Sequence, residues 1–406
     1  MDLFTLVLAG LSVAGAVFFF GGVTQPEFGY SLAGLGLAGT LYWVFTPRYK
    51  RAAPDWWLVG GVGAVVLWTI VQAAWISVAP LKTVEYVFTN AAMGTMLLLG
   101  RELGWRFRRS IWAGVAPLLV VASLEGGLGL YQFLAMRAGA GTVSSATGTF
   151  PNRNHFAGLL EMVLPLAVAG GVAFWWGPVK RWWGTAGMLA IAGLLVMGTV
   201  ISLSRMGFLA ALAGLFVLGV LLLGGRGRLA AAGFVGIVLA IAFVVLPTDE
   251  WIARFATIAQ SEDISADSRA QIWRDTLPMI RDYWAGGVGM GAYESAFYKY
   301  KNVAPMATVD YAHNDYLQYL AELGTFGFAA ALLVLGRCFH CMARGLDRSP
   351  LVAGAWGAAA AMGIHSLVDF NLYIPANALV LAWILGLATA PALTEEARAT
   401  SRRNGN

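Results

Sequence analysis

His313 is the residue in this chain best placed to move a proton. It opens the stretch AHNDYLQYLAELG (312–324), where a large polar segment runs into an apolar span. An imidazole titrates near neutrality, so at such a mouth it can act as a general base, the competing role being a structural cap on the helix that follows. Behind it Asn314, Gln318 and Glu322 recur at i, i+4 and i+8, with Asp315 beside them, so a polar stripe runs along one side of that helix. Such a stripe is too costly to face lipid and must line the bundle interior or a wet cavity. Between Arg181 and Arg226 the one charge is Arg205, in ISLSRMGFLAAL, near the outer turn of a helical hairpin. Exposure of an arginine to lipid costs at least about 2.5 kcal/mol, and a guanidinium offers phosphate oxygens two parallel hydrogen bonds. An anion site is therefore the expected role of Arg205, against simple snorkelling at the interface.

Further polar groups gather on the same side. DSRAQIWRDTLPMI (267–280) reads as an amphipathic helix with Asp267 or Ser268 as N-cap. Ile272, Trp273, Leu277 and Ile280 fall on one arc, Arg269 falls inside it, and Arg274, Asp275 and Arg281 fall outside, with Pro278 expected to kink the helix. An arginine aimed at the buried side needs a partner, either a bound anion or a nearby carboxylate. The run GGVGMGAY (286–293) lacks a Walker lysine and is expected to be a tight connection before a second short helix, 293–301. His365 and Asp369, in GIHSLVDFNLYIP, stand at the end of one further span, and Asn152, Arg153, Asn154 and His155, in GTFPNRNHFAGLL, at the end of another. No Asp-x-Asp pair at a membrane edge and no H-E-x-x-H occurs, so no metal site and no cofactor is expected. Cys338 and Cys341 have only His340 beside them and no second ligand pair. Glu125 and Glu161, inside spans, are open between proton relays and groups hydrogen-bonded within the bundle.

The elements that hold these residues are membrane helices. The chain of 406 residues is 58% hydrophobic and 12% charged, the composition of an all-α polytopic membrane protein. Apolar runs near 3–22, 29–46, 56–79, 82–100, 110–136, 155–176, 184–202, 206–223, 229–247, 313–336, 350–367 and 372–390 make about 12 transmembrane helices in a single membrane domain, 1–406. The first has no basic n-region before it and is read as a retained helix. Residues 248–312 form one large polar loop with short helices, and 391–406 a disordered tail. Alternate connections, at RYKR (48–51), RELGWRFRR (101–109), VKR (179–181), GGRGR (224–228), Arg337 to Arg348 and the tail, hold 17 of the 27 Lys and Arg residues. The positive-inside rule makes these connections and both termini cytoplasmic, and puts the large loop outside. The net charge of +5 thus reports topology and not nucleic-acid binding. A transporter of lipid-linked glycan would want charges near the bilayer midplane and paired half-repeats. Here only Glu125 and Glu161 suit that role.

Taken together, GTFPNRNHFAGLL, SLSRMGFLAAL, RAQIWRDTLPMIRDYWAGGVGMGAY and AHNDYLQYLAELGTFGF resemble the O-antigen ligase and polymerase superfamily over about residues 145 to 375. The resemblance implies a glycosyltransferase of the bacterial inner membrane whose large loop and active site are periplasmic. It implies a glycan donor on undecaprenyl diphosphate, drawn from the surrounding membrane lipids, and in the ligase branch a lipid A–core acceptor. In the polymerase branch the acceptor is another lipid-linked glycan; the compact length and the single large loop lean toward ligase. His313 matches the family's essential histidine, and Arg205 and Arg269 its diphosphate-binding arginines. Arg153, Asn154, Asn314, Asp315, Glu322, His365 and Asp369 are expected to support them.

Overall fold

A computed structural model describes residues 1–23, 27–139, 145–177, 181–223, 266–302, 308–346 and 349–391. The expected ninth span (229–247), the first part of the large loop (248–265) and the tail beyond 391 lie outside the described residues. Thirteen α-helices and no strand occur among the described residues: α1 Asp2–Phe18, α2 Glu27–Phe45, α3 Trp56–Val71, α4 Pro80–Arg106, α5 Ile111–Arg137, α6 Arg153–Trp176, α7 Trp182–Ile201, α8 Arg205–Leu223, α9 Ala266–Asp282, α10 Tyr293–Phe297, α11 Asp315–Ala343, α12 Pro350–His365 and α13 Pro375–Ala388. Seven of them (α2, α3 with its π-helical end, α5, α6, α7, α8 and α11) are long and apolar enough to cross a membrane. The protein is an all-α polytopic membrane protein. Of the other expected spans, α1 and α13 are apolar but shorter, α13 covering about 21 Å in its 14 residues. α4 carries Lys82, Glu85, Arg101, Glu102 and Arg106 along its 27 residues. Proline at the first turn starts α4, α12 and α13, where a missing N–H costs nothing. Asp55, Asn152 and Asn314 cap α3, α6 and α11 with side-chain oxygens.

α6 is buried along most of its length and packs against α7, α8 and α12, while α3 lies at the periphery beside α4 and α11. One end of the bundle collects basic groups. Arg337 forms a two-pronged ion pair with Asp55 (2.8 Å), Arg106 pairs with Asp2 and donates to the Lys50 carbonyl (3.0 Å), and Arg101 donates to the Ala53 carbonyl (2.8 Å). His313 precedes the opposite end of the 29-residue α11.

α11 is not continuous. At Gly324 the backbone turns to φ 64°, ψ −179°, a region open almost only to glycine. The break leaves carbonyls without their helical partners, which inside a membrane is tolerated only where protein supplies substitutes. The glycine-rich 286–291 loop does so. Val288 N–H donates to the Ala321 carbonyl (3.0 Å), Gly289 N–H to that of Glu322 (3.1 Å), and Thr325 N–H to that of Trp284 (2.7 Å). From α3 and its π-helical end, Trp68 Nε1 reaches the Leu323 carbonyl (2.9 Å) and Gln72 Nε2 that of Glu322 (2.7 Å). The loop is the tight connection its glycines suggest: a Cβ at Gly287 would overlap the Glu322 carbonyl, and one at Gly324 the Ala285 carbonyl.

Gly324→Ala is expected to lower stability by at least about 1–3 kcal/mol, the ordinary cost of forcing such a conformation on a residue with a Cβ. Gly336→Ala in the same helix, where a Cβ meets nothing within 4 Å, serves as the control and should be neutral or slightly stabilising. Thermal unfolding of the two variants in detergent measures the difference.

Candidate functional site

The segment before α11 is gripped from two sides. Ala312 donates its N–H to Gln318 Oε1 (2.7 Å), and its carbonyl accepts from Trp273 Nε1 (2.9 Å) on α9. Asn314 caps α11, accepting from Leu317 N–H (3.0 Å), and its Nδ2 donates to the Leu367 carbonyl (3.0 Å). The capping role therefore falls to Asn314, and His313 stands just outside the helix at φ 49°, a conformation rare for a side-chain-bearing residue. Asp315 closes the arrangement. Its N–H donates to the Ser366 carbonyl (2.9 Å), and its carboxylate accepts from Ser366 Oγ (2.7 Å) and Leu372 N–H (3.1 Å). Asn314 and Asp315 thus tie α11 to the α12–α13 connection.

That connection carries Asp369, and three of the chain's four histidines surround it. Its carboxylate lies 3.8 Å from His313 Nδ1, 3.9 Å from His155 Nε2 and 3.8 Å from His365 Nε2. Each is too long for a direct hydrogen bond, and each is within reach of one bridging water or a small rotation. His365 Nδ1 sits 3.0 Å from both oxygens of Glu161 on α6, which fixes that ring from behind. Glu161 is therefore paired within the bundle. His365 has none of its side chain exposed, whereas His313 keeps 16%. Of the three imidazoles His313 is the one most open to a substrate. Phe370 separates His155 and His313, meeting their rings edge-on at 4.8 and 5.0 Å. Burial opposes the charge on Asp369, but the imidazoles of His155, His313 and His365 outweigh it and hold its carboxyl well below the usual range.

The expected supporting residues divide. Asp315, Asn314, His365 and Asp369 meet around His313. Glu322 does not. It accepts from Gly291 N–H (2.7 Å), Tyr373 Oη (2.7 Å) and Tyr293 N–H (3.1 Å), and so anchors the glycine loop. Arg153 and Asn154 occupy the first turn of α6, two and one residues before His155. Arg205 is the first residue of α8, after the Ser202–Ser204 turn in which Ser204 Oγ accepts from Gly207 N–H (3.1 Å). Gly207 packs on Ala157, which brings this turn to the His155 end of the bundle. Arg269 is half-buried on α9, one turn from Trp273, and its Nε–H donates to no group among the described residues. Both arginines stand outside the ion pairs of Asp369.

One expectation for α9 changes. The helix runs on through Pro278, and its buried side is Ile272, Asp275, Thr276 and Met279, with Leu277 left 55% exposed. Asp275 can turn inward because Asn302 N–H (2.7 Å), Asn302 Nδ2 (3.0 Å) and Gln271 Nε2 (2.8 Å) satisfy it. The second short helix spans only Tyr293–Phe297 instead of 293–301. Among the described residues no three His, Cys, Asp or Glu side chains stand at metal-binding spacing.

Because the carboxyl of Asp369 is held low, its ionised form adds to the stability of the fold fully above about pH 3.9, the unfolded value, and that contribution is lost as pH falls toward the folded value. Asp369→Asn should therefore melt below wild type at pH 7, and the gap should close as the wild type is acidified below about pH 4. A set of melting curves against pH checks the sign.

No curated protein matches the chain significantly. The O-antigen ligase family model matches residues 190–332, about a third of the chain, and Arg205, Arg269 and His313 all lie within that stretch. The resemblance thus holds at the level of the O-antigen ligase superfamily, over a segment that runs from the middle of α7 into α11 and takes in three of the four motifs, GTFPNRNHFAGLL lying before it, with the ligase and polymerase branches not told apart.

Proposed function

We propose that the protein is a glycosyltransferase that moves a glycan from undecaprenyl diphosphate to the lipid A–core of lipopolysaccharide on the periplasmic face of the inner membrane, with both termini in the cytoplasm. The observation that supports this most directly is His313, held outside its helix with Nδ1 toward Asp369 and some of its ring open. With Nδ1 on that side, Nε2 is the nitrogen left for an acceptor hydroxyl. His313 takes the hydroxyl proton as the oxygen attacks the anomeric carbon, and Asp369 steadies the imidazolium that forms. The C–O bond to the diphosphate breaks in the same displacement, which inverts the anomeric centre. Arg205 and Arg269 neutralise the charge growing on the departing diphosphate. His365, fixed by Glu161, holds Asp369 from behind.

His313→Ala is expected to lower the transfer rate by about 10²–10⁴-fold with donor binding largely intact, since the proton leaves the acceptor and not the donor. Near-normal turnover in that variant would remove the base from the mechanism. Arg205→Ala and Arg269→Ala should each cut transfer strongly while the protein inserts normally, and lysine should rescue poorly because its point charge lacks the planar fork. Turnover should also persist in EDTA; loss on chelation that Mg²⁺ restores would replace the two-arginine account with a metal-assisted one. The lipopolysaccharide of a deletion strain separates the branches. Loss of all polymer with intact lipid-linked glycan indicates ligase, and a single-repeat cap indicates polymerase.

Sidedness has its own test. In a Cys338→Ser, Cys341→Ser background, an impermeant thiol reagent on intact spheroplasts should label Ser295→Cys and spare Arg344→Cys. The reverse pattern would put the site in the cytoplasm.

A further inference from the structure

A cavity of about 360 Å³ adjoins the histidine cluster, within the size range of small-ligand sites. Tyr311 lines it and stacks on Phe370 at 4.0 Å, and Phe370 meets the His313 ring, so two stacked rings separate the cavity from the base. Its floor is structural, since Glu322 is fully engaged by the glycine loop and by Tyr373. At its rim Lys82 is tied to Glu294 at 2.7 Å. What remains for a ligand is two exposed carboxylates, Glu85 and Asp310, without an ion-pair partner among the described residues, and the rings of Tyr86, Tyr311 and Tyr373. Burial, with Glu322 and Asp310 nearby, pushes the Tyr311 hydroxyl up to about 12, so it stays a neutral donor.

This lining selects by charge and by shape. With Lys82 spent on Glu294, Glu85 and Asp310 are left as carboxylates without a matching cation among the described residues and repel a phosphate or diphosphate, so the cavity is unsuited to the anionic part of a lipid-linked donor. Free carboxylates are acceptors only, and suit a ligand rich in hydroxyl donors. Aromatic walls suit a ligand that also has an apolar C–H face. A pyranose ring has both. We propose that this cavity binds a neutral sugar ring of the acceptor glycan, adjacent to the ring whose hydroxyl reacts, with Glu85 and Asp310 accepting from its hydroxyls and the tyrosines packing on its face. The assignment rests on the transfer reaction proposed above and adds to it the place and the charge of the acceptor.

The probe is a core oligosaccharide released from lipopolysaccharide by mild acid and dephosphorylated, titrated into the full-length protein in detergent and followed by saturation-transfer NMR. Glu85→Gln and Asp310→Asn, both at exposed positions, should each weaken binding about tenfold, the loss of a hydrogen bond to a charged group. They should raise the acceptor KM in parallel and leave the donor KM unmoved. The phosphorylated oligosaccharide should bind wild type more weakly than the dephosphorylated one. Unchanged affinity in both variants overturns the proposal, as does preference for the phosphorylated probe. Binding that EDTA abolishes and Ca²⁺ restores overturns it in favour of a cation site. Because binding is read without turnover, the two readings fail separately. Normal transfer by His313→Ala removes the proposed mechanism and leaves the cavity result standing. An inactive His313→Ala alongside wild-type affinity in the cavity variants removes only the cavity assignment.

Discussion

The break in α11 is the constraint on which the site depends. An unbroken helix would satisfy its own carbonyls and offer the polar loop nothing to hold. By breaking at Gly324, α11 exposes the carbonyls of Ala321, Glu322 and Leu323, and these become the docking points for the 286–291 loop and for Trp68 and Gln72. Each is a hydrogen bond between groups that would otherwise be buried unpaired, and leaving such a group unmade costs about 1–3 kcal/mol. The first turns of α11, with Asn314 as cap and His313 before it, are therefore held by the loop and by α3 together.

A second requirement is electrostatic. Asp369 is almost wholly buried, and a lone carboxylate there would be costly. The surrounding imidazoles and the Phe370 N–H, at 2.9 Å, make its charge tolerable. The dependence runs both ways, because the carboxylate is the one charge that all three histidines face. His365 is spent on that duty, locked to Glu161, and His313 is left with an open face. One carboxylate thus stands among three rings drawn from α6, α12 and the approach to α11, one of which Glu161 fixes.

Much of this was legible in the residues and some of it was not. Apolar runs located the helices because a membrane helix is a local property of composition. His313, Asp315 and Asp369 stood out because a polar group at the end of an apolar run has to be explained where it stands. The pairing of His365 with Glu161 could not be read, since 204 positions separate them and only packing decides which buried polar groups meet. Glu322 drew attention as part of a stripe of reactive-looking side chains, yet it anchors backbone; periodicity shows which residues share a face and not what they touch. The inward turn of Asp275 was hidden for the same reason, as its partner Asn302 comes from a different part of the loop. Phe370 and Tyr311 carry no signal in the sequence because aromatic residues are common in such a chain, and only their stacking beside the histidines sets them apart.

The hydrogen bond from Trp273 to the Ala312 carbonyl has a mechanical consequence. Trp273 lies one turn from Arg269 on α9, so the helix that carries the arginine is also the helix that grips the residue before His313. If α9 swings away, that grip goes with it, and the unfavourable backbone angle at His313 is free to relax. One helix thus carries both the arginine and one of the two hydrogen bonds that hold Ala312. The loop helix and the base therefore share a mechanical link, and a substitution that removes the Trp273 indole N–H acts on both at once.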